Sequence, residues 1–176
     1  MFDVFGVLDL FDLFDVCQVL VVASGNTLAV GVVDEHFGYA GAYIGIGDDA
    51  HGWSMCGHTS MKGLRHDGKT ASCGDLWHAG DVIGVSIDAD RGVISWRRND
   101  IEIERGVAHF GSCSSGHYVL PAVTADYGAV AQINFGSRPF HYNVPAGSSP
   151  VEARTLQQKC QWIAQAAGSN LVSGKQ

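Results

Sequence analysis

Charge is sparse in this chain of 176 residues and proline sparser still: Asp, Glu, Lys and Arg together make up 16%, and 4 prolines stand against 23 glycines. With 46% hydrophobic residues, that balance disfavours long solvated helices and favours short elements joined by tight turns, an all-β architecture in one domain of ordinary size. A cationic excess is missing as well. The formal net charge of −7 removes the electrostatic reason for a nucleic acid or an anionic membrane as ligand and leaves a protein or a small molecule. No apolar run reaches the roughly 18 residues that a membrane-spanning helix needs; the nearest, residues 16–23, is interrupted by Gln18. The start lacks the basic stretch that opens a signal peptide. Cys17, Cys56, Cys73, Cys113 and Cys160 are odd in number and show no CxxC spacing. Neither a zinc ribbon nor a complete disulfide framework is indicated, so reduced thiols in a cytoplasmic protein are expected, with no cofactor.

What is present is a succession of apolar runs of four to eight residues, rich in β-branched types and separated by glycine-bearing turns. Strands are predicted at 16–22, 28–33, 43–46, 53–55, 81–88, 93–98, 119–124 and 129–134, a spacing that suits a sandwich or a barrel. The clearest unit is a hairpin. Ile83, Val85 and Ile87 alternate with Val82, Gly84, Ser86 and Asp88; Ala89-Asp90-Arg91-Gly92 forms a four-residue turn; and 93–98 returns. Asn99-Asp100 supplies residue types that tolerate positive φ, and Ile101 and Ile103 follow with strand alternation, so a second hairpin is expected.

The two ends differ in character. Residues 1–14 place Asp3, Asp9 and Asp12 at multiples of three among Phe, Val and Leu, a spacing that fits neither a strand nor a helix, and such an apolar segment is expected to be packed or self-associated. At the other end, Ser149-Pro150-Val151-Glu152 marks a helix start, and Leu156, Cys160, Ile163 and Ala167 recur at helical spacing. A helix over 150–167 is expected, then a flexible tail over 168–176, with the helix's narrow apolar stripe free to dock on the domain or on another chain.

Gly80-Asp81-Val82-Ile83-Gly84, Ile94-Ser95-Trp96, Asn99, Leu120-Pro121-Ala122-Val123 and Asn134-Phe135-Gly136 stand in an order that resembles the SPRY family. Tyr43-Ile44-Gly45-Ile46-Gly47-Asp48-Asp49 before Trp53, and Gly63-Leu64-Arg65-His66-Asp67-Gly68, are similar to that family's segments in the same order. The resemblance covers residues 15–145. It implies a two-sheet antiparallel β-sandwich, jelly-roll or concanavalin-like, with loops at one end forming a preformed site for a peptide or protein epitope. SPRY domains of ubiquitin ligases and of ryanodine-receptor channels are the relatives whose spacing is most similar, which makes an adaptor or substrate-recruiting role the expectation. The chain departs from the pattern in three places. Asp15-Val16-Cys17-Gln18-Val19 lacks the aromatics and the acid usual near the family's start, which puts the edge of the first sheet in question; and about fifteen residues precede the match, fewer than is usual, so an early strand is expected to be missing or replaced and a sheet edge open to another chain. Asp100 stands where glycine is common, which predicts a looser hairpin.

Chemistry has weaker support than binding. The eight histidines lack paired ligand spacing, so no metal site is expected; there is no Gly-x-Ser-x-Gly elbow and no cysteine nucleophile signature, so no enzyme is expected. Asp48-Asp49 and Asp88-x-Asp90 suit turn chemistry better than a calcium loop, which would need a later glutamate. Trp53, Trp77 and Trp96 are expected in the core, and Trp162 beside the helix's apolar stripe. The candidate partner-binding residues are Arg65, His66, Asp67 and Lys69, which put both charge signs and several donors on one loop. Asp126 and Tyr127 join them, in a turn that the resemblance puts beside that loop. Two rival functions remain open: a carbohydrate-binding lectin, which shares the sandwich architecture, and a scaffold that oligomerises through its Phe-rich start or its terminal helix.

Overall fold

A computed structural model describes residues 15–25, 27–38, 45–88, 90–111, 119–126, 128–145 and 149–150. The described strands are β1 (Asp15–Ser24), β2 (Leu28–Asp34), β3 (Gly52–Cys56), β4 (Gly63–His66), β5 (Lys69–Ala71), β6 (Val82–Asp88), β7 (Val93–Arg98), β8 (Ile101–His109), β9 (Val119–Ala125), β10 (Ala129–Asn134) and β11 (Ser149–Pro150). They build two antiparallel sheets. One runs β10-β1-β6-β7-β8, with β11 pairing in parallel to the first residues of β1, and the other runs β5-β4-β3-β2-β9.

The strands follow from the apolar runs, and the turns from residues that accept positive φ. The β6–β7 hairpin keeps the expected register, Asp88 opposite Val93, with Gly92 at φ 63° closing the four-residue connection. Ile83, Val85 and Ile87 point inward at 1% exposure or less, and each buried side chain of this size contributes about 1.5–3 kcal/mol. Trp53, Trp77 and Trp96 lie in the core as expected. Trp96 is wholly buried and its indole Nε1–H donates to the Val30 carbonyl at 2.9 Å, a hydrogen bond from one sheet to the other.

Several expectations are corrected. β1 is no edge: it lies between β6 and β10, and Val16, Cys17, Gln18 and Val19 are all buried. A polar side chain in a strand buried on both faces needs partners. Gln18 has them, since its Oε1 accepts from the His141 amide at 2.8 Å and its Nε2 donates to the Tyr142 carbonyl at 2.8 Å, which straps residues 141–142 across the outer face of the sheet. Gly45 and Ile46 are not strand residues. The Ile46 N–H donates to Thr124 Oγ1 and its carbonyl accepts from Ser54 Oγ, so side chains take the groups that a neighbouring strand would have taken. Residues 65–69, read as one loop, belong to the β4–β5 hairpin, with Asp67 and Gly68 at its turn. The β7–β8 turn is not loose either. Asn99 and Asp100 both take positive φ (50° and 67°), and Arg98 pairs directly with Ile101 across a two-residue connection.

The free edge of β8 is blunted by an irregularity opposite Ser95 and Arg97, where Arg105 sits at φ 60°. Pro150, placed by sequence at a helix start, pairs as strand with Val16; the rest of the expected helix, the apolar segment 1–14 and the tail lie outside the described residues.

Candidate functional site

The β4–β5 hairpin turns on Asp67 and Gly68, both at positive φ (51° and 67°), and His66 pairs with Lys69 across it. Short polar side chains and glycine are the types that reach this conformation cheaply, which is why the sequence turns here. Asp67 and Lys69 project into solvent and form an ion pair at 2.6 Å; the hydrogen bond from the Lys69 ammonium holds the Asp67 carboxyl below the ordinary carboxylate range.

The two residues before the turn point into the protein. The Arg65 side chain is only 13% exposed, and its Nη2 donates to Asp48 Oδ1 at 2.5 Å. Its Nε is buried without a hydrogen-bond partner. His66 stacks face to face on Trp53, with ring centroids 4.7 Å apart, and its Nδ1 lies 2.9 Å from the Gly52 carbonyl, so that nitrogen carries a proton and donates.

Residues 45–51 run beside this hairpin and are tied to it. The Asp67 amide donates to the Asp49 carbonyl at 2.9 Å and the Gly68 amide to the Gly47 carbonyl at 3.0 Å. The approach requires glycine at 47, because a Cβ there would stand 2.7 Å from the Arg65 carbonyl oxygen. The same loop is tied to the end of β2. The Asp34 amide donates to the His51 carbonyl at 2.9 Å, His51 Nδ1 lies 3.0 Å from Asp34 Oδ2, and the His51 amide donates to Asp49 Oδ1 at 2.9 Å. The hydrogen bond to Asp34 is the main cause that raises the His51 pKa above its ordinary value; partial desolvation opposes it, and the charges of Asp34, Asp49 and Glu35 reinforce it. His36 meets His51 edge to face at 5.6 Å. Phe37 and Phe110 are partly buried here, and Phe110 packs against Trp53 at 6.1 Å.

One end of the sandwich is thus built from the β2 end, residues 48–51, the β4–β5 turn and Phe110. Of the candidate residues it brings together Arg65, His66, Asp67 and Lys69. Asp126 is elsewhere. The Asp67 turn continues the rung of Gly52, Val33 and Leu120, and Asp126 lies six residues beyond Leu120, roughly 20 Å along the strands at about 3.3 Å per residue. At that far end the Asp126 amide donates to the Thr27 carbonyl. Tyr127 lies outside the described residues. Asp34, His51, Asp48 and Asp49 join the loop end without having been singled out as binders. Nothing local marks the first two, and the carboxylates of Asp48 and Asp49 cap turns, accepting from the amides of Gly45 and His51. Among the described residues no group of three or more His, Cys, Asp or Glu is placed to hold a metal ion.

The chain is 30% identical, over 121 residues, to the E3 ubiquitin-protein ligase RKP of Arabidopsis thaliana. The match takes in 59% of this chain and spans a tenth of that relative's length (10%). The model of the SPRY domain matches residues 18–138, from the buried Gln18 of β1 to the turn after β10, and the chain belongs to the SPRY domain family.

Proposed function

We propose that this protein is a non-catalytic recognition module that binds a peptide or protein epitope through the loop end built around Asp67, and that it serves as the substrate-recruiting or scaffold part of a larger assembly such as a ubiquitin ligase. The observation that carries the reading is the way this end is organised. Exposed groups of both charge signs, Asp67 and Lys69, stand on a turn whose neighbours are fastened from beneath by the Arg65–Asp48 ion pair and by two backbone hydrogen bonds to residues 47 and 49. A site ordered before binding avoids the cost of ordering on binding, which suits recognition of a partner polypeptide. Arg65 then acts as a positioning residue, while Asp67, Lys69, His36 and the exposed side of His51 offer the contacts.

The absence of catalysis is supported by how the reactive side chains are used. The His66 ring is occupied by Trp53 and by the Gly52 carbonyl, and burial pushes the Cys56 thiol above its ordinary pKa, away from the nucleophilic thiolate. Cys56 and Cys73 are buried thiols outside any disulfide, which fits the reducing cytoplasm. The test is a quantitative pull-down from cell extract with the whole chain, comparing wild type with the double variant Asp67→Asn/Lys69→Ala after circular dichroism has matched the two. Proteins captured by wild type and lost by the variant support the loop end; equal capture by both removes it as the binding site.

A further inference from the structure

The loop end has a hub, and the hub is titratable. His51 is the residue through which loop 45–51 meets the end of β2. Its carbonyl accepts from the Asp34 amide, its amide donates to Asp49 Oδ1, and its ring bonds Asp34 Oδ2. Around that ring stand Asp34 and Glu35 from β2 and the turn after it, His36 edge-on, and Asp49 from the loop itself; across the loop the β4–β5 hairpin presents Arg65, paired with Asp48, and His66, Asp67 and Lys69. Arg65 is committed to Asp48 and Lys69 to Asp67, so at the β2 side it is the His51 ring that the carboxylates of Asp34 and Asp49 meet, and protonation of that ring supplies positive charge there.

We infer that protonation of His51 fastens loop 45–51 onto the end of β2 and the β4–β5 hairpin, so that the loop end is held most firmly in mildly acidic conditions and loosens as the ring gives up its proton at higher pH. The sign follows from the chemistry. A neutral imidazole can keep one hydrogen bond to Asp34 but supplies no charge to the neighbouring carboxylates, whereas the imidazolium supplies both, and charge-assisted bonds are the stronger class. A group whose pKa is raised on folding gives a contribution that is complete below its unfolded value of 6.5 and is lost as pH rises past the folded one. That this loosening alters partner binding rests on the reading of the loop end given above; the loosening itself does not.

Amide exchange in the whole chain reads the docking directly. The amides of Asp34, Asp67 and Gly68 donate to the carbonyls of His51, Asp49 and Gly47, and those of Asn99 and Trp77, which donate to Val82 and Gly57, serve as internal controls. Corrected for intrinsic rates, protection of the three reporters should be roughly threefold greater at pH 6 than at pH 8, the difference expected between a charged and a neutral bond at a half-exposed site. The controls should stay level. His51→Gln, which keeps a neutral donor, and Asp34→Asn should each abolish the slope, while His36→Gln should keep it. A level wild-type profile, or a slope that survives His51→Gln, overturns the inference. A pull-down with the Asp67→Asn/Lys69→Ala variant fails or succeeds independently of these amides, so the two readings fall separately.

Discussion

Trp96→Phe should be among the most damaging conservative substitutions available in this domain, and its cost can be worked from the structure. The indole is fully buried, and its N–H supplies a partner to the Val30 carbonyl in the opposite sheet. Phenylalanine keeps most of the apolar volume but leaves that carbonyl short of a donor in a dry interior, at about 1–3 kcal/mol. The lost pyrrole ring opens a cavity of roughly 40 Å³, which at about 24 cal/mol per Å³ adds about 1 kcal/mol. The sum is about 2–4 kcal/mol. Ile94→Val, two residues earlier on the same strand and equally buried, removes one methyl group and no hydrogen bond and should cost about 0.5–1.5 kcal/mol. Urea unfolding followed by far-ultraviolet circular dichroism separates the two: with a slope of about 2 kcal/mol per molar, Trp96→Phe moves the midpoint by about 1–2 M and Ile94→Val by well under 1 M. Equal midpoint shifts for the two variants would refute the claim that the inter-sheet hydrogen bond, rather than volume, sets the importance of Trp96.

Asp81 ties three elements together, accepting from the His78 amide, Asn99 Nδ2 and Arg98 Nε. Burial opposes its ionisation most strongly, but these three donors and the Arg98 charge together lower its pKa below the ordinary 3.8. The stability it supplies is complete above 3.8 and is lost as pH falls through the depressed value; Asp81→Asn should flatten that acid limb and cost about 2–3 kcal/mol at neutral pH, both read from urea titrations. Asp100→Gly should stabilise by about 0.5–1 kcal/mol in thermal melts, because glycine reaches φ 67° without strain and the Arg97–Asp100 pair it removes is exposed at the surface. Gln18→Leu should cost about 2 kcal/mol and open the strap at residues 141–142 to proteases, since the amide of His141 and the carbonyl of Tyr142 lose their partner; unchanged cleavage would count against the strap.

Where each of these residues acts decides how much of it could be read from sequence. The β6–β7 hairpin was legible because its determinants are local: alternation over 83–87 and a glycine closing the turn. Ile46 was misread because its backbone partners, Thr124 and Ser54, are side chains on other strands, and no local pattern announces them. β4 and β5 are four and three residues long, too short for a period to show. Gln18 inside an apolar run carried a signal, for a buried amide in a strand implies a chain crossing over it, but sequence does not say which chain. The candidate site divides in the same way. The Asp67 turn and the mixed charge it carries were readable; that Asp67 and Lys69 pair with each other was not. The inward course of Arg65 depends on Asp48, seventeen residues away, and the separation of Asp126 from Asp67 depends on the register of the strands between them.

The two ends of the sandwich use similar residues for different ends, and the difference bears on function. At the Asn99 turn, Asp81 takes up Arg98 and Asn99, so the polar side chains there are spent on holding β6 to β7. At the Asp67 turn, the corresponding fastening is one layer deeper. Arg65 and Asp48 meet beneath the surface, backbone groups of Asp67 and Gly68 meet residues 47 and 49, and the outermost side chains remain exposed. An arginine committed to an internal carboxylate fixes the shape of a surface without being its contact, and a lysine that is 81% exposed can be a contact without fixing any shape. Charge and shape are therefore separable at this end. On the proposed reading of this end, variation at Lys69 would retune the contact offered to a partner while Arg65, Asp48, Gly47 and the Asp67 turn keep the platform unchanged.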